Sequence, residues 1–249
     1  MKASTERRLV GMARRALNPL HLDLVRYPLR SQLPAFLRQF LPGLGIDVVL
    51  DVGAHHGEFA LEVRDEGFRG RIVSFEPVQD SFAVLERNAA RDSDWFVHRL
   101  ALGDVDETRA ISTPPNPQLA SFLRPTERGR SLFPLVDGGA GREDVPVRRL
   151  DAIADDLFDD AASPSVYLKV DTQGWEIQVL HGGERTLRRV KALQVELSIM
   201  PIYEGATPYL EMLEELRERG FVPSGFFPVA SSPRFEAVEV DCVLVRAQR

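Results

Sequence analysis

The sequence predicts a single α/β domain whose central sheet has about seven strands, mostly parallel, with an antiparallel hairpin at its C-terminal end. From residue 47 onwards, short apolar runs rich in β-branched residues alternate with helical segments. This alternation is typical of a parallel sheet covered by helices on both faces. The last two runs are joined only by residues 229–234. They must pair antiparallel, because a parallel connection needs a longer crossover.

The individual elements follow from apolar periodicity and from the positions of proline and glycine. Strands are predicted at 47–53, 71–77, 95–102, 165–171 and 192–199, and the two hairpin strands at 221–229 and 235–246. Helices are predicted at 56–66, 79–92, 151–158 and 207–220, with a further helix from about residue 175.

Residues 105–150 are less regular and are predicted to be an insertion. They contain a strand at 107–112, a proline-rich loop at 113–118, a glycine-rich loop at 138–144 and a short edge strand at 145–150. Long loops on rigid α/β folds often carry specificity. We therefore expect the insertion to border a ligand site in the domain formed by residues 46–249, with residues 1–45 as a basic helical extension.

Composition excludes several classes of protein. A net charge of −6 argues against nucleic-acid binding by broad phosphate neutralisation. One cysteine, Cys242, excludes an internal disulfide and a cysteine-based zinc cluster. We see no apolar run long enough for a membrane span and no signal-peptide core, so a cytoplasmic protein is expected.

The charge is distributed unevenly along the chain. Residues 1–40 contain eight basic and two acidic residues, a net of +6, which leaves −12 for the rest. A basic stretch containing leucines could contact an anionic membrane surface. The favoured interpretation is a solvated helix that packs on the domain or on a partner.

A turn of small residues follows the first strand, in the stretch DVGAHHG at residues 51–57. Such a turn lies at the carboxyl edge of the sheet, where α/β folds bind ligands. Gly53 and Gly57 form G-x-x-x-G rather than the dinucleotide pattern G-x-G-x-x-G, which favours a ligand without a diphosphate. Asp51 is expected to meet a cationic part of that ligand through water or backbone, and Gly53 and Ala54 are expected to line the ligand.

An acid follows the second strand, in Glu76-Pro77. A carboxylate at this place can accept hydrogen bonds from both hydroxyls of a ribose. Glu76 lies 76 − 53 = 23 residues after Gly53, close to the ~20-residue spacing expected for a ribose-binding acid. The register with the glycine turn favours this role over an ordinary surface carboxylate.

A second turn of small residues follows the third strand, and it consists of Ala101, Leu102, Gly103 and Asp104. It could bracket an adenine ring, with Asp104 accepting a hydrogen bond from the exocyclic amine. A plain β-turn is the alternative, since glycine and aspartate are common turn residues.

Polar side chains end the strands predicted at 165–171 and 192–199. Lys169 and Asp171 lie on the same side of their strand, and Glu196 lies near the end of the next one. Polar groups at the end of a buried strand are costly unless they are paired or used. A functional cluster is one interpretation, and a structural Lys169–Asp171 ion pair is the other.

In their order and spacing, these motifs resemble the FkbM family of methyltransferases over roughly residues 45–246. The most specific stretches are DVGAHHG, FEP, ALGD, RRLD (148–151) and KVDTQGWE. The resemblance implies a Rossmann-like fold of the class I methyltransferase type and S-adenosyl-L-methionine as cofactor. It further implies O-methylation of a hydroxyl on a sugar, a glycan or a natural product.

The resemblance also assigns the cofactor site. The residues expected to bind the cofactor are Asp51, Gly53, Ala54, His55, Gly57, Glu76, Pro77, Ala101, Leu102, Gly103 and Asp104. Within this set, Glu76 is expected at the ribose, and Gly103 with Asp104 at the adenine.

An alcohol is a poor nucleophile, so a base should take its proton during attack. Asp171 is our hypothesis for this base, with Glu196 as the nearest alternative. His56 is the second residue to test, ahead of the other histidines, His21, His55, His98 and His181. Residues expected on the acceptor side are Lys169, Gln173, Glu176, Tyr203 and Ser121.

Other functions remain open alternatives. Asp171 and Glu196 could hold Mg²⁺, which prefers oxygen ligands, in a metal-dependent O-methyltransferase. A short-chain NAD oxidoreductase would need a Tyr-x-x-x-Lys pair, and the chain instead has Asp171 four residues after Tyr167. A non-catalytic Rossmann-like binding module would explain the fold, but not the polar groups at the strand ends.

Overall fold

The computed structural model describes residues 32–137, 141–157 and 164–247. Ten strands are present in these residues: β1 (Val48–Val52), β2 (Arg71–Phe75), β3 (Trp95–His98), β4 (Ala101–Leu102), β5 (Glu107–Thr113), β6 (Gly141–Arg148), β7 (Val166–Val170), β8 (Val190–Ser198), β9 (Phe221–Ser231) and β10 (Ala237–Arg246). The α-helices are α1 (Leu33–Gly43), α2 (Glu58–Asp65), α3 (Gln79–Ala89), α4 (Glu127–Leu132), α5 (Leu150–Leu157), α6 (Glu176–His181), α7 (Glu184–Leu187) and α8 (Tyr209–Glu218). Short 3₁₀ turns span Pro117–Leu119 and Pro134–Val136.

Seven strands form the main sheet in the order β3-β2-β1-β7-β8-β10-β9. The first five in this order are mutually parallel. Strand β10 runs antiparallel to both β8 and β9. The predicted fold class, a Rossmann-like, mostly parallel sheet with an antiparallel C-terminal hairpin, is therefore confirmed.

Helices cover both faces of this sheet because the central strands bury side chains on both sides. Every residue of β1 and of β7 is buried. Alternate β1 residues belong to different clusters: Leu50 packs with α5, α6 and α8, whereas Val49 packs with α1, α2 and α3. Full burial of each such side chain contributes about 1.5–3 kcal/mol. The rigid centre of the sheet therefore fixes the strand ends that carry the polar residues.

Helix α1 lies within the predicted extension 1–45 and packs on the sheet. It buries Leu33, Leu37 and Leu41 on the face that carries α2 and α3. Pro34 fits in the first turn, where a backbone N–H has no helical partner. The membrane contact considered as the less favoured alternative for residues 1–40 falls mostly on residues 1–31, outside the described part. Within the described ranges, no helix is long and apolar enough to cross a membrane.

The strand predicted at 95–102 is two strands in the structure. Strand β3 ends at His98, and a turn follows in which the Leu100 N–H bonds to the His98 carbonyl. Strand β4 then leaves the main sheet and pairs with β6 in a separate three-stranded sheet. Apolar periodicity runs through both pieces, and so it did not reveal the break.

Strand β6 corrects two further predictions. Residues 141–144, predicted as part of a loop, are its first half, and it is the central strand of β4-β6-β5 rather than an edge strand. It contains Pro146, which cannot donate a hydrogen bond to a neighbour. Because β4 pairs only with Val147 and Arg148, Pro146 is open on that side. Because no residue of β4 lies opposite Pro146, the missing N–H of this proline costs the small sheet no hydrogen bond on that side.

Candidate active site

A cavity of about 530 Å³ lies at the carboxyl ends of β1, β2, β7 and β8. This edge of an α/β sheet is where ligands bind. The cavity brings together many of the predicted site residues: Gly53, Ala54, His55, Glu76, Pro77, Ala101, Leu102, Lys169, Asp171, Gln173 and Glu196. Part of the insertion also lines it, at residues 116–120 and 122. These predicted cofactor and acceptor residues thus line one continuous space.

Glu76 lies immediately after β2 and is only 6% exposed. Its Oε2 accepts a hydrogen bond from the His55 N–H at 2.8 Å, and its Oε1 accepts one from the Val78 N–H at 2.9 Å. Burial raises the pKa of Glu76 to about 7, although the two N–H donors oppose this shift. The carboxylate is therefore fixed by backbone, and each oxygen keeps a lone pair for a ligand.

The turn after β1 approaches the end of β7 very closely. Gly53 has φ +76°, and a Cβ on it would lie 1.8 Å from the Asp171 carbonyl oxygen. Glycine is therefore required here by the neighbouring strand, whether or not a ligand is bound. The close approach sets the Gly53 turn directly beside Asp171 on the cavity wall.

Asp51 does not line the cavity itself, so the contact with the cofactor predicted for it would be an indirect one. Its side chain is fully buried in β1, where Ser74 Oγ donates to Oδ2 at 3.1 Å. Trp95 Nε1 donates in turn to Ser74 Oγ at 3.0 Å. Burial raises the pKa of Asp51, and Lys169, with Nζ 3.3 Å from Oδ1, opposes that rise. Asp51 reaches the cavity only through Lys169.

Three other predicted cofactor residues also lie off the cavity surface. Gly57 precedes α2, and a Cβ on it would lie 2.7 Å from the Trp95 ring. Gly103 is buried, and a Cβ there would lie 2.8 Å from Val147. Asp104 is exposed. The two glycines permit close packing of the turns, and the adenine role predicted for Gly103 and Asp104 has no support from the cavity wall.

Lys169 is buried at the centre of the site. Its Nζ lies 3.3 Å from Asp51 Oδ1 and 3.3 Å from Asp171 Oδ2, and it donates to the Gly53 carbonyl oxygen at 3.2 Å. Burial alone would lower the pKa of Lys169, but Asp171 and Asp51 outweigh burial and raise it. The Lys169–Asp171 ion pair considered from the sequence is therefore present. Lys169 also connects the buried Asp51 to Asp171, which lines the cavity.

Gln173 links the two candidate bases. Its Nε2 donates to Asp171 Oδ1 at 3.2 Å and to Glu196 Oε2 at 3.1 Å. Its φ of +55° is unusual for a residue other than glycine and marks a strained backbone. Ser121 Oγ donates to the Gln173 carbonyl oxygen at 2.7 Å, and the Tyr203 hydroxyl lies 3.2 Å from Oε1. Ser121 and Tyr203, predicted as acceptor-side residues, do not line the cavity and instead hold Gln173.

Glu176 lies behind the cavity wall rather than on it. Its Oε1 accepts hydrogen bonds from the Thr172 and Gly174 backbone N–H groups, at 2.9 Å and 3.0 Å, and from the Thr172 hydroxyl. Burial raises the pKa of Glu176. The residue therefore shapes the turn between β7 and α6 and does not reach an acceptor.

Sequence reasoning missed two acids on the cavity wall, Glu239 and Asp241 of β10. Asp241 stands opposite Glu196 in the antiparallel pair. Burial and Asp171 raise the pKa of Asp241 to about 6 and that of Glu239 to about 7. The same two causes raise the pKa of Glu196 well above its usual value. Glu239 and Asp241 alternate with apolar residues, and this alternation could have indicated that both acids lie on one face of the strand. From the sequence, only the strand was predicted.

His55, His56 and Glu58 are the three metal-ligating side chains that come together among the described residues. The two rings stack with centroids 3.7 Å apart and planes 24° apart, and His56 Nδ1 lies 3.6 Å from Glu58 Oε1. Glu58 accepts from the His56 N–H and lies 3.1 Å from His55 Nδ1. Burial would raise the pKa of Glu58, but the His55 contact lowers it to about 2.

The other histidines lie away from the candidate bases. His98 stacks on Phe75, and its pKa is lowered by burial. The exposed His181 lies 3.5 Å from Glu215. His21 lies outside the described residues. Among the histidines, His55 alone lines the cavity in the described part of the chain.

Comparison with known proteins gives a consistent assignment. The Methyltransferase FkbM domain family matches residues 51–223. A curated relative, Methyltransferase sdnD of Sordaria araneosa, is 28% identical over 193 residues, which cover 70% of this chain and 73% of the relative.

Among solved structures, methyltransferase FkbM from Methylobacillus flagellatus KT has a TM-score of 0.48 and 17% identity. That comparison covers 79% of this chain but only 43% of the other. Magnesium protoporphyrin IX methyltransferase from Synechocystis PCC 6803, solved with bound SAM, has a TM-score of 0.46 and 9% identity, covering 87% and 79% of the two chains. On the match over residues 51–223, the chain belongs to the FkbM family of methyltransferases.

Proposed function

We propose that the protein transfers a methyl group from S-adenosyl-L-methionine to a hydroxyl oxygen of a sugar, a glycan or a natural product. One observation carries the proposal. The Glu76 carboxylate, fixed by two backbone N–H groups, opens into the same cavity as Asp171. A nucleoside-binding acid and a candidate base are thus neighbours in one space.

The residues of the cavity fit this cofactor. Glu76 has free lone pairs in a buried position, so it can accept hydrogen bonds from both ribose hydroxyls. Ala101 and Leu102 offer apolar surface for the adenine, and Gly53 and Ala54 offer the backbone of a tight turn for the amino-acid part. The cofactor supplies a methyl group that is already activated by a sulfonium charge, so no further activation by the protein is required.

Asp171 is the residue that we assign as the base. Its side chain is 32% exposed, so an acceptor can reach it, and Lys169 and Gln173 hold one oxygen each. Fixed geometry of this kind aligns the hydroxyl for attack and gives the proton a defined place to go. Glu196 is the weaker choice because burial and Asp171 raise its pKa, which disfavours the ionised form that a base needs.

Magnesium dependence receives less support than direct base catalysis. A metal shared by Asp171 and Glu196 needs both carboxylates as ligands, yet the Gln173 amide donates to one oxygen of each. Protein sites for Mg²⁺ are built from oxygen ligands, not from N–H donors. We expect methyl transfer to continue in the presence of EDTA.

Calorimetric titration with S-adenosylhomocysteine and with NAD tests the proposal. We expect adenosylhomocysteine to bind and NAD not to bind. The Glu76→Gln variant should bind adenosylhomocysteine more weakly, whereas Glu211→Gln, the same change on the exposed face of α8, should match the parent. Binding of NAD alone, or unchanged affinity in Glu76→Gln, would overturn the assignment of the cofactor.

The methylated atom is tested separately. After incubation with methyl-labelled S-adenosyl-L-methionine and a panel of hydroxyl compounds, the product should carry its label as an alkali-stable ether, as expected for O-methylation. Release of the label as methanol by alkali would indicate an ester, and label on nitrogen or carbon would exclude the proposed oxygen acceptor.

A further inference from the structure

The end of the cavity formed by β7, β8 and β10 is lined by four carboxyl groups. We call it the acidic end, and its residues are Asp171, Glu196, Glu239 and Asp241. The cation that faces them is Lys169, and it is already shared between Asp51 and Asp171. Glu196, Glu239 and Asp241 are therefore left without an ion pair to a cation among the described residues that line the cavity.

Glu239 is the carboxyl group of the acidic end that lacks a protein partner among the described residues. It is only 7% exposed and lines the cavity, yet its carboxyl group has no hydrogen bond or ion pair within the described residues. Its neighbours differ, because Asp241 is bonded by the Gln194 side chain and Glu196 by Gln173. The Glu239 oxygens are not among the fully buried polar atoms that lack a partner, so they face the open space of the cavity. Such a group is expected where a ligand completes the site.

The position of the acidic end separates it from the cofactor. In the sheet order, β2 with Glu76 and β10 with Glu239 are four strand spacings apart, roughly 19 Å. Asp171, the assigned base, follows β7 between them. The acids of β8 and β10 thus lie beyond the reaction centre, on the side where the acceptor must enter.

A metal ion is a poorer occupant than an organic cation. Shared coordination needs ligand atoms close together, and within the described ranges only His55, His56 and Glu58 form such a group of three. The carboxyl groups of β8 and β10 are spread along two strands, with Asp241 opposite Glu196 and Glu239 two residues earlier in β10. A spread of this kind suits a polyatomic cation that makes several hydrogen bonds.

We propose that the methyl acceptor carries a protonated amine near its reactive hydroxyl, as amino sugars and aminocyclitols do, and that Glu239 and Asp241 bind this ammonium group. The proposal rests on the function proposed above and narrows its substrate class. The raised pKa values of Glu239 and Asp241 agree with it, because a bound ammonium would stabilise the ionised carboxylates and lower both values.

Two matched pairs of compounds test the proposal, each titrated into protein saturated with adenosylhomocysteine at pH 7. The pairs are D-glucosamine with N-acetyl-D-glucosamine, and 2-deoxystreptamine with scyllo-inositol. In each pair we expect the amine to bind at least roughly tenfold more tightly than the neutral compound. The Glu239→Gln variant should lose most of this preference, and Glu211→Gln should keep it.

Equal affinity within both pairs would overturn the proposal, and so would the absence of measurable binding by any of the four compounds at 20 mM. Tight Mg²⁺ binding that disappears in Glu239→Gln would also overturn it, by assigning the acidic end to a metal. Adenosylhomocysteine binding, measured first on the same samples, separates the two claims. If it fails, the proposed function fails. If it succeeds and the amine preference is absent, only the acceptor class is wrong.

Discussion

The two ends of the cavity hold their carboxyl groups in different ways. At the cofactor end, Glu76 is bonded by backbone N–H groups of its own turn and of the neighbouring turn. At the acidic end, Glu196 depends on the side chain of Gln173, and Glu239 has no partner among the described residues. Backbone N–H donors hold Glu76 in a fixed position, which suits a cofactor that is always the same molecule. Side-chain donors and a carboxyl group without a partner suit a methyl acceptor, whose structure can differ between members of a family.

The largest expected effect is a loss of turnover on substitution of Asp171, the assigned base between the two ends of the cavity. The Asp171→Asn variant removes the proton acceptor but keeps the shape of the side chain. Its kcat should fall by about 10²–10⁴-fold, while its affinity for adenosylhomocysteine stays within about threefold of the parent. Initial rates and calorimetry on the same preparation measure both. Near-normal turnover would remove Asp171 from the mechanism and leave Glu196 or His56 to be tested.

The next effect concerns the cofactor end alone. Glu76→Gln replaces one accepting oxygen by a donor, and hydrogen bonds to a charged acceptor contribute about 1.5–3 kcal/mol each. We therefore expect the KM for S-adenosyl-L-methionine to rise roughly 10–100-fold. The KM for the acceptor should not change. A rise in both constants would show that the two ends are not independent.

A smaller effect is expected from loosening the support of Gln173. Tyr203→Phe removes a hydroxyl that lies 2.9 Å from the Leu119 carbonyl oxygen and 3.2 Å from Gln173 Oε1. The acceptor kcat/KM should fall by roughly 3–10-fold, equivalent to about one neutral hydrogen bond. Cofactor affinity should stay unchanged, and Tyr209→Phe on α8 serves as the matched control. An equal loss in the control would indicate a general loss of stability.

The smallest effect is on stability, and it depends on pH. Glu239 has a pKa of about 7 in the folded chain against an ordinary value of 4.5, so the folded state holds its proton more tightly. The resulting stabilisation is complete below pH 4.5 and is lost as the pH rises through 7. Burial disfavours the ionised Glu239 carboxylate, and repulsion from Asp171, Glu176 and Asp241 adds to this effect.

The Glu239→Gln variant cannot ionise, so it should melt close to the parent at pH 5 and roughly 5 °C higher at pH 8. Differential scanning calorimetry at the two pH values measures this, with Glu211→Gln as the exposed counterpart. If the difference in melting temperature between parent and variant is the same at both pH values, the Glu239 carboxyl group must have a partner in solution.

The same contrast explains what the sequence alone could predict. Gly53, His55 and Glu76 were recognisable because each lies in a short turn directly after a strand, and one strand order brings the turns together. The residues of the acidic end are far apart in the sequence. The position of Glu239 beside Glu196 and Asp171 could not be predicted without knowing that β10 pairs between β8 and β9. Likewise, Ser121 and Tyr203 were predicted near the site, but their contact with Gln173 depends on the fold of the insertion.

We propose that Glu76 binds the ribose of S-adenosyl-L-methionine in this cavity. A crystal structure of the protein with adenosylhomocysteine tests it most directly. We predict both ribose hydroxyls within about 3 Å of the Glu76 carboxylate oxygens and the sulfur facing Asp171. A ligand bound elsewhere, or a ribose out of reach of Glu76, would contradict the account.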